Sequence, residues 1–529
     1  MNSRIGMRRR SFLKAAALGS LAAPSLAAAE ASRTLKFIPQ ADLIVLDPIW
    51  TAAHVTGNHS YMVFDTLFGQ DSQVRISPQM LEGFTTEPDG KTWTLFLRPG
   101  LRFHDGTPVL ARDCVASIQR WGRRDIIGRL LMAVTDEVSA VDDRTIRFRL
   151  SAPFRQLPRA LGKAGANVCC MMPERLARTD AFTQVTEMIG SGPFRFKADE
   201  MVPGARTVYE RFADYRPRED GQADFMAGPK IVHFDRVEWL VNPDPATAAA
   251  ALQAGEVDWL EQPQLDLLPL LRRNRAIKVE TLDSLGYVGI IRPNHLHPPF
   301  NNPAIRRAML GAVQESDFMR AVAGDDTSLW HDGVGMFCPG SQPANDAGMR
   351  VMAAPRDVGR ARQAILDAGY KGERVVLMGT SDIAALKAVS DVTADLFQRL
   401  GFKLDYQMLD WGTVVQRRAK KDPPDSGGWN AFCTFNYGLD QASPMTHAWL
   451  AASGATAAPG WPDSPQLEAL RVGWMDAADP KRQAEAIQRQ ALQDLPYLPI
   501  GQYLNPTAYR SDLTGMMKGF PVFWNLRRG

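Results

Sequence analysis

The sequence predicts a mixed α/β protein, and three observations lead there. Two stretches, Thr92–Leu97 and Ile146–Leu150, alternate apolar and polar residues with the period of a half-buried strand. A helical stretch over 384–400 runs through Gly401 into another alternating run, the order of elements in an α/β layer. At about 150 residues per unit, a 529-residue chain that is 45% hydrophobic makes three or four units whose cores need no disulfide staples.

Residues 1–29 read as an export address. A cationic stretch precedes a short apolar run from Ala15 to Ala23, and small residues end at Ala27-Ala28-Ala29. The run is too short to span a bilayer. Arg9-Arg10-Ser11-Phe12-Leu13-Lys14 matches the twin-arginine pattern R-R-x-F-L-K, so Arg9 and Arg10 are the signal residues. A general secretory signal is the alternative. No cysteine follows the run to carry a lipid, so the mature chain is expected to be soluble and periplasmic.

In the first strand, Trp93, Leu95 and Leu97 form the buried face. Leu252–Asp258 has the helix–glycine–strand order. Asn302 can cap a helix over 303–323, with Pro303 in its first turn, Ile305, Met309 and Val313 on one face and Gly324 at its end. In the helix over 384–400, Leu386, Val389, Leu396 and Leu400 lie near one stripe. Phe402, Leu404, Tyr406 and Met408 then alternate with polar residues. Two Pro and two Gly between Lys420 and Gly428 mark a surface loop.

Charge excludes some partners. Residues 1–29 hold five of the 61 Lys and Arg and no acid, leaving 56 basic against 58 acidic side chains, a net charge of −2. Nothing there draws the protein to nucleic acid. The chain has no phosphate-cradling G-x-x-x-x-G-K-[ST], no H-E-x-x-H, no C-x-x-C and no G-x-S-x-G, so neither catalysis nor a cofactor is expected. His295 and His297 lie in a proline-rich connection without an acidic partner nearby, which favours a loop over a metal site. Cys169 and Cys170 are adjacent in apolar surroundings and read as packed thiols.

Six blocks of sequence carry a family resemblance. The run Asp89–Val109 (DGKTWTLFLRPGLRFHDGTPV) continues into Ala111-Arg112-Asp113-Cys114. Leu46-Asp47-Pro48 precedes it. Ser191-Gly192-Pro193-Phe194, Leu252–Asp258, Asn294 with Pro298–Ala308, and Asp357–Tyr370 follow in order. Together they resemble the family 5 extracellular solute-binding proteins, the peptide- and nickel-binding components of ABC importers. Their strand, turn and capping chemistry makes these residues structural rather than ligand contacts.

The resemblance implies the two-lobed periplasmic-binding-protein fold with an extra inserted subdomain and a hinge of crossing strands. The first lobe would be discontinuous, over 32–66, 188–284 and 491–529. The inserted subdomain would cover 67–187 and the second lobe 285–490, with 1–31 as signal. It further implies a periplasmic component that captures a small peptide or peptide-like solute and delivers it to the transmembrane permease subunits and their ATPase. The twin-arginine export machinery would be a second partner.

Aromatic residues concentrate over 406–449, and Tyr437–Pro444 resembles the W-x-x-D-x-x-x-P segment of oligopeptide-binding members. The resemblance implies that Asp440 meets a peptide's ammonium beside Tyr437, with Trp411, Phe435 and Asn436 as further candidate contacts. A carboxylate partners a desolvated ammonium, and an aromatic face adds a cation–π term. A plain alternative makes Asp440 the cap of a helix starting near Pro444. No Arg stands over 378–382, where dipeptide-binding members place a carboxylate partner. Two rival readings are an exported hydrolase, which lacks a recognisable nucleophile and base, and a carrier of a nickel chelate, haem, opine or sugar-like solute using His54, His59 or His447. No metal site is expected.

Overall fold

A computed structural model describes residues 33–353, 355–474 and 477–529; the signal with Arg9 and Arg10 lies outside the described residues. The described residues build two large sheets, a four-stranded one and two strand pairs. Strands Thr34–Ile38, Phe194–Phe196, Arg206–Arg211, Arg236–Leu240, Trp259–Leu260, Ile277–Glu280 and Thr507–Arg510 make a seven-stranded mixed sheet. A six-stranded sheet takes Tyr287–Pro293, Trp330–His331, Arg374–Thr380, Lys403–Leu409, Ala431–Tyr437 and Leu498–Tyr503. The third sheet is antiparallel, with four strands between Leu81 and Leu150. This is the two-lobed arrangement with an extra subdomain that the sequence predicts.

Two connections join the large sheets. Ile277–Glu280 passes through 281–286 into Tyr287–Pro293, and Leu498–Tyr503 returns through 504–506 into Thr507–Arg510. Each pair is antiparallel within its own sheet, so the two crossings run side by side. Gly286 permits the closeness, because a Cβ there would run into Tyr503 O. The final segment, expected in the first lobe from residue 491, therefore gives one strand to each sheet.

The motif residues hold the frame together. Asp47 forms a two-pronged ion pair with Arg120 at 3.1 and 2.6 Å, and Asp113 accepts from Leu110 N at 2.8 Å to start its helix. His104 joins two blocks: its Nε2 donates to Gly192 O at 3.0 Å, and its Nδ1 accepts from Gly190 N at 3.4 Å. Asp258 accepts from Lys36 N at 2.8 Å, tying one more block to the first strand.

The strands Thr92–Leu97 and Thr145–Leu150 bury the predicted faces, and a helix spans Ala384–Arg399. The helix expected over 303–323 is two, Pro303–Leu310 and Glu315–Ala323. Ala312 and Val313 donate to Met309 O and Leu310 O, which tightens and ends the first helix. The Glu315 side chain accepts from Val334 N at 2.9 Å and anchors the second start elsewhere. Ile305, Met309 and Val313 remain buried together, because the break leaves their common face in place. All five cysteines are buried and free.

Candidate functional site

A cleft of about 1520 Å³, its open mouth included, lies between residues 124–167 and residues 436–471. Its near wall is the helix Ile126–Ala133 with the loop 163–167; its far wall is 436–458 with the helix Pro465–Gly473. Two smaller cavities adjoin it toward the hinge, of about 360 and 460 Å³, and Tyr437 and Phe520 line both.

Asp440 stands where the segment 436–458 meets the loop 163–167. The strand Ala431–Tyr437 ends in a tight turn, with Asp440 N donating to Tyr437 O at 3.1 Å, and this aims the carboxylate out of the lobe. Asp440 Oδ1 accepts from Ala166 N at 3.3 Å. Gly165, at φ +100°, permits the approach, since a Cβ there would press into that oxygen. No helix starts at Pro444, so Asp440 is not a cap.

The electrostatics of this corner are set by burial. Lys163 pairs with Asp125 at 3.0 Å, both side chains almost wholly buried, and Asp125 also caps the helix that follows it. Desolvation raises the Asp440 carboxyl above the ordinary aspartate value, against Lys163 and the Ala166 N–H, which favour its charged form. Burial without a full charge partner describes a carboxylate that gains from a cation.

Aromatic rings close the hinge side. His54 of the first lobe stacks on Tyr437 and lies 5.9 Å from the Tyr287 ring, with Tyr437 and Tyr287 4.9 Å apart. Gln40 Nε2 donates to Tyr437 O–H at 3.3 Å, and Gln262 Nε2 to Tyr287 O–H at 2.6 Å. Burial lowers the His54 pKa well below the usual imidazole value, so the ring stacks as a neutral group. Glu261, at the edge of one small cavity, is pushed up to about 7 by desolvation although Gln40 N and Asn58 Nδ2 donate to it.

Of the residues singled out from sequence, Asp440 and Asn436 line the large cleft and Tyr437 the two smaller cavities. Phe435 and Trp411 line none of the three. Phe435 packs edge-on against Tyr503 at 4.8 Å, and Trp411 opens a helix where Arg418 lies over its ring. His59 is fully buried away from these cavities, bonded to Tyr209 at 2.8 Å, with its pKa lowered to about 3. His447 does line the cleft. Lys163, Asp125, Ala166 and Arg471 were invisible in sequence: no local pattern marks them, and they reach Asp440's cleft only through the packing of distant segments. Among the described residues no three His, Cys, Asp or Glu gather as a metal site.

Comparisons place this geometry among known proteins. The profile of the bacterial extracellular solute-binding proteins, family 5, matches residues 75–456. A probable peptide ABC transporter periplasmic-binding protein of Sinorhizobium fredii is 37% identical, over 98% of this chain and 99% of its own. Among solved structures, DppA of Helicobacter pylori in complex with the peptide STSA superposes with a TM-score of 0.77 at 20% identity, covering 94% of this chain and 98% of its own. AgaA of A. tumefaciens in complex with agropinic acid gives the same score at 19% identity, covering 94% and 99%.

Proposed function

This chain belongs to the bacterial extracellular solute-binding proteins of family 5, and we propose that it captures a peptide or peptide-like solute between its lobes for an ABC importer. The observation that carries the reading is the desolvated Asp440 carboxylate in the wall of the large cleft, with only a 3.3 Å amide donor and a nearby lysine that is itself paired. A solute ammonium placed there completes the site. Tyr437 and its stack with His54 wall the same corner. The relative from Sinorhizobium fredii is named for peptide transport, which supports the same class.

In this reading the protein binds and releases its solute unchanged. The seven-stranded sheet belongs to the first lobe and the six-stranded sheet to the second, with 67–187 as the inserted subdomain. Hinge motion at the two crossings opens the cleft to the solvent and closes it on the solute. The closed form then docks on the transmembrane permease subunits. Arg9 and Arg10 direct export through the twin-arginine route, delivering the chain to the periplasm. Among the described residues no helix is long and apolar enough to cross a membrane.

The experiment is mass spectrometry of what the protein releases on denaturation after purification from its native compartment. Release of short peptides supports the reading. Release of a uniform solute without an amine overturns it.

A further inference from the structure

Five cysteines stand in the chain, an odd number, and the fold leaves every one of them a free thiol. None is more than 3% exposed. Cys114 lies inside the helix Ala111–Gly122. Cys433 lies in the strand Ala431–Tyr437, its sulfur 3.1 Å from Thr393 Oγ1 of the helix Ala384–Arg399. Cys338 packs under the crossing at 281–286: its S–H donates to Leu285 O at 3.2 Å, and its sulfur accepts from Gln502 Nε2 at 3.3 Å. Cys169 and Cys170 are adjacent in the chain yet belong to different hydrophobic clusters.

In the folded protein these thiols are inert. Desolvation raises all five above the ordinary cysteine value, Cys433 to about 12, and only a thiolate attacks a disulfide. An unfolded chain is different, because it shows the same five thiols to a periplasm kept oxidising by a dithiol oxidant. One chain thiolate attacks the oxidant's disulfide, and a second displaces the oxidant from the mixed disulfide. Two chain thiols become one S–S bond and lose two protons, while the two electrons reduce the oxidant to its dithiol. Such bridges contradict the fold, which joins none of the five. Cys170, Cys338 and Cys433 lie in three separate clusters, so a bridge between any two prevents both from reaching their places. An odd count also leaves a thiol over to link a second chain.

Resting on the twin-arginine reading of Arg9 and Arg10, we infer that this chain has to fold before it crosses the membrane, because its thiols survive the periplasm only inside the finished core. The machinery that carries folded chains is then a condition of this fold and not one of two interchangeable routes.

The test sends residues 32–529 to the periplasm behind the chain's own leader and behind a general secretory leader. Cells are quenched in acid, and the thiols are alkylated and counted by mass before and after denaturation. Behind its own leader the protein should carry five thiols, none of them reactive until it is denatured. Behind the secretory leader the count should fall in steps of two, from five to three or one, with loss of soluble protein. In cells without the periplasmic dithiol oxidant, the secretory version should regain both its thiols and its yield. Continued failure there overturns the thiol cause. If Arg9→Lys with Arg10→Lys is exported with all its thiols, the twin-arginine reading and this inference fall together. If that variant is retained but the secretory leader delivers fully reduced protein in undiminished yield, this inference alone falls.

Discussion

Asp440 and Ala166 meet across the cleft, the amide of one donating to the carboxylate of the other at 3.3 Å although 274 positions separate them in the chain. That single long bond leaves most of the carboxylate's capacity for a solute. Asp440→Asn keeps the shape and removes the charge, so a bound ammonium loses its partner at a cost of about 3–5 kcal/mol. Tyr437→Ala should cost less, about 1–2 kcal/mol, because the charge pair survives. Calorimetric titration of an alanine peptide that the wild-type protein binds reads both. An Asp440→Asn affinity within threefold of wild type would refute the ammonium role.

The two crossings at 281–286 and 504–506 are the only backbone links between the large sheets among the described residues. A cleft closed by so slight a link should open when empty. Small-angle scattering is expected to show the radius of gyration falling as a bound peptide saturates the protein. A constant radius at proven saturation argues against hinge closure.

Asp47 and Arg120 form a two-pronged pair sealed from water, whereas Glu82 and Arg144 meet through a single 2.9 Å contact in the solvent. Removing one member of the buried pair strands the other charge. Asp47→Ala should lower stability by about 3–5 kcal/mol, and Glu82→Ala by no more than about 1 kcal/mol. Urea denaturation of both variants measures the difference, and equal shifts in the two would sink this account of the Leu46-Asp47-Pro48 block.

Glu315 is a buried carboxyl pushed up to about 8 from 4.5 by desolvation, with Val334 N donating to Oε2 and no partner on Oε1. Asp332 adds to the rise, while the Arg356 charge and the Gly333 and Val334 amides oppose it. Because the folded value is raised, the stabilising contribution is complete below pH 4.5 and is lost as pH climbs through about 8. Glu315→Gln keeps the group neutral throughout. Its melting temperature should match wild type under acidic conditions and exceed it under alkaline ones. A constant offset at every pH would contradict the buried-acid reading.

Export is tested by Arg9→Lys together with Arg10→Lys. The double variant is expected to stay inside the cell if the guanidinium pair is what the twin-arginine receptor reads. Normal periplasmic accumulation on fractionation would point to the general secretory route instead.

Much of this protein was legible in its sequence because the determining forces are local. Trp93, Leu95 and Leu97 alternate because a strand has two faces, and burial follows that alternation. Asn302 caps its helix because its side chain reaches Ala304 N two residues on. Gly255 ends another by taking φ +74° at no steric cost. Asp440 and Tyr437 were singled out by another route, the resemblance of Tyr437–Pro444 to a segment of the oligopeptide-binding members of the family. The break at 311–314 was not legible, because Glu315's tie to Val334 N depends on where a later loop folds back.

Tertiary structure alone decided what Asp440 faces. Its neighbours Ala166, Lys163 and Asp125 come from segments hundreds of residues earlier, and His54, which meets Tyr437, comes from the helix His54–Val63. No periodicity couples such segments; only their packing in the folded chain does. The same holds for the five sealed thiols. A sequence states which polar and reactive groups a chain possesses, whereas which of them are sealed from solvent is settled only when the rest of the chain has packed.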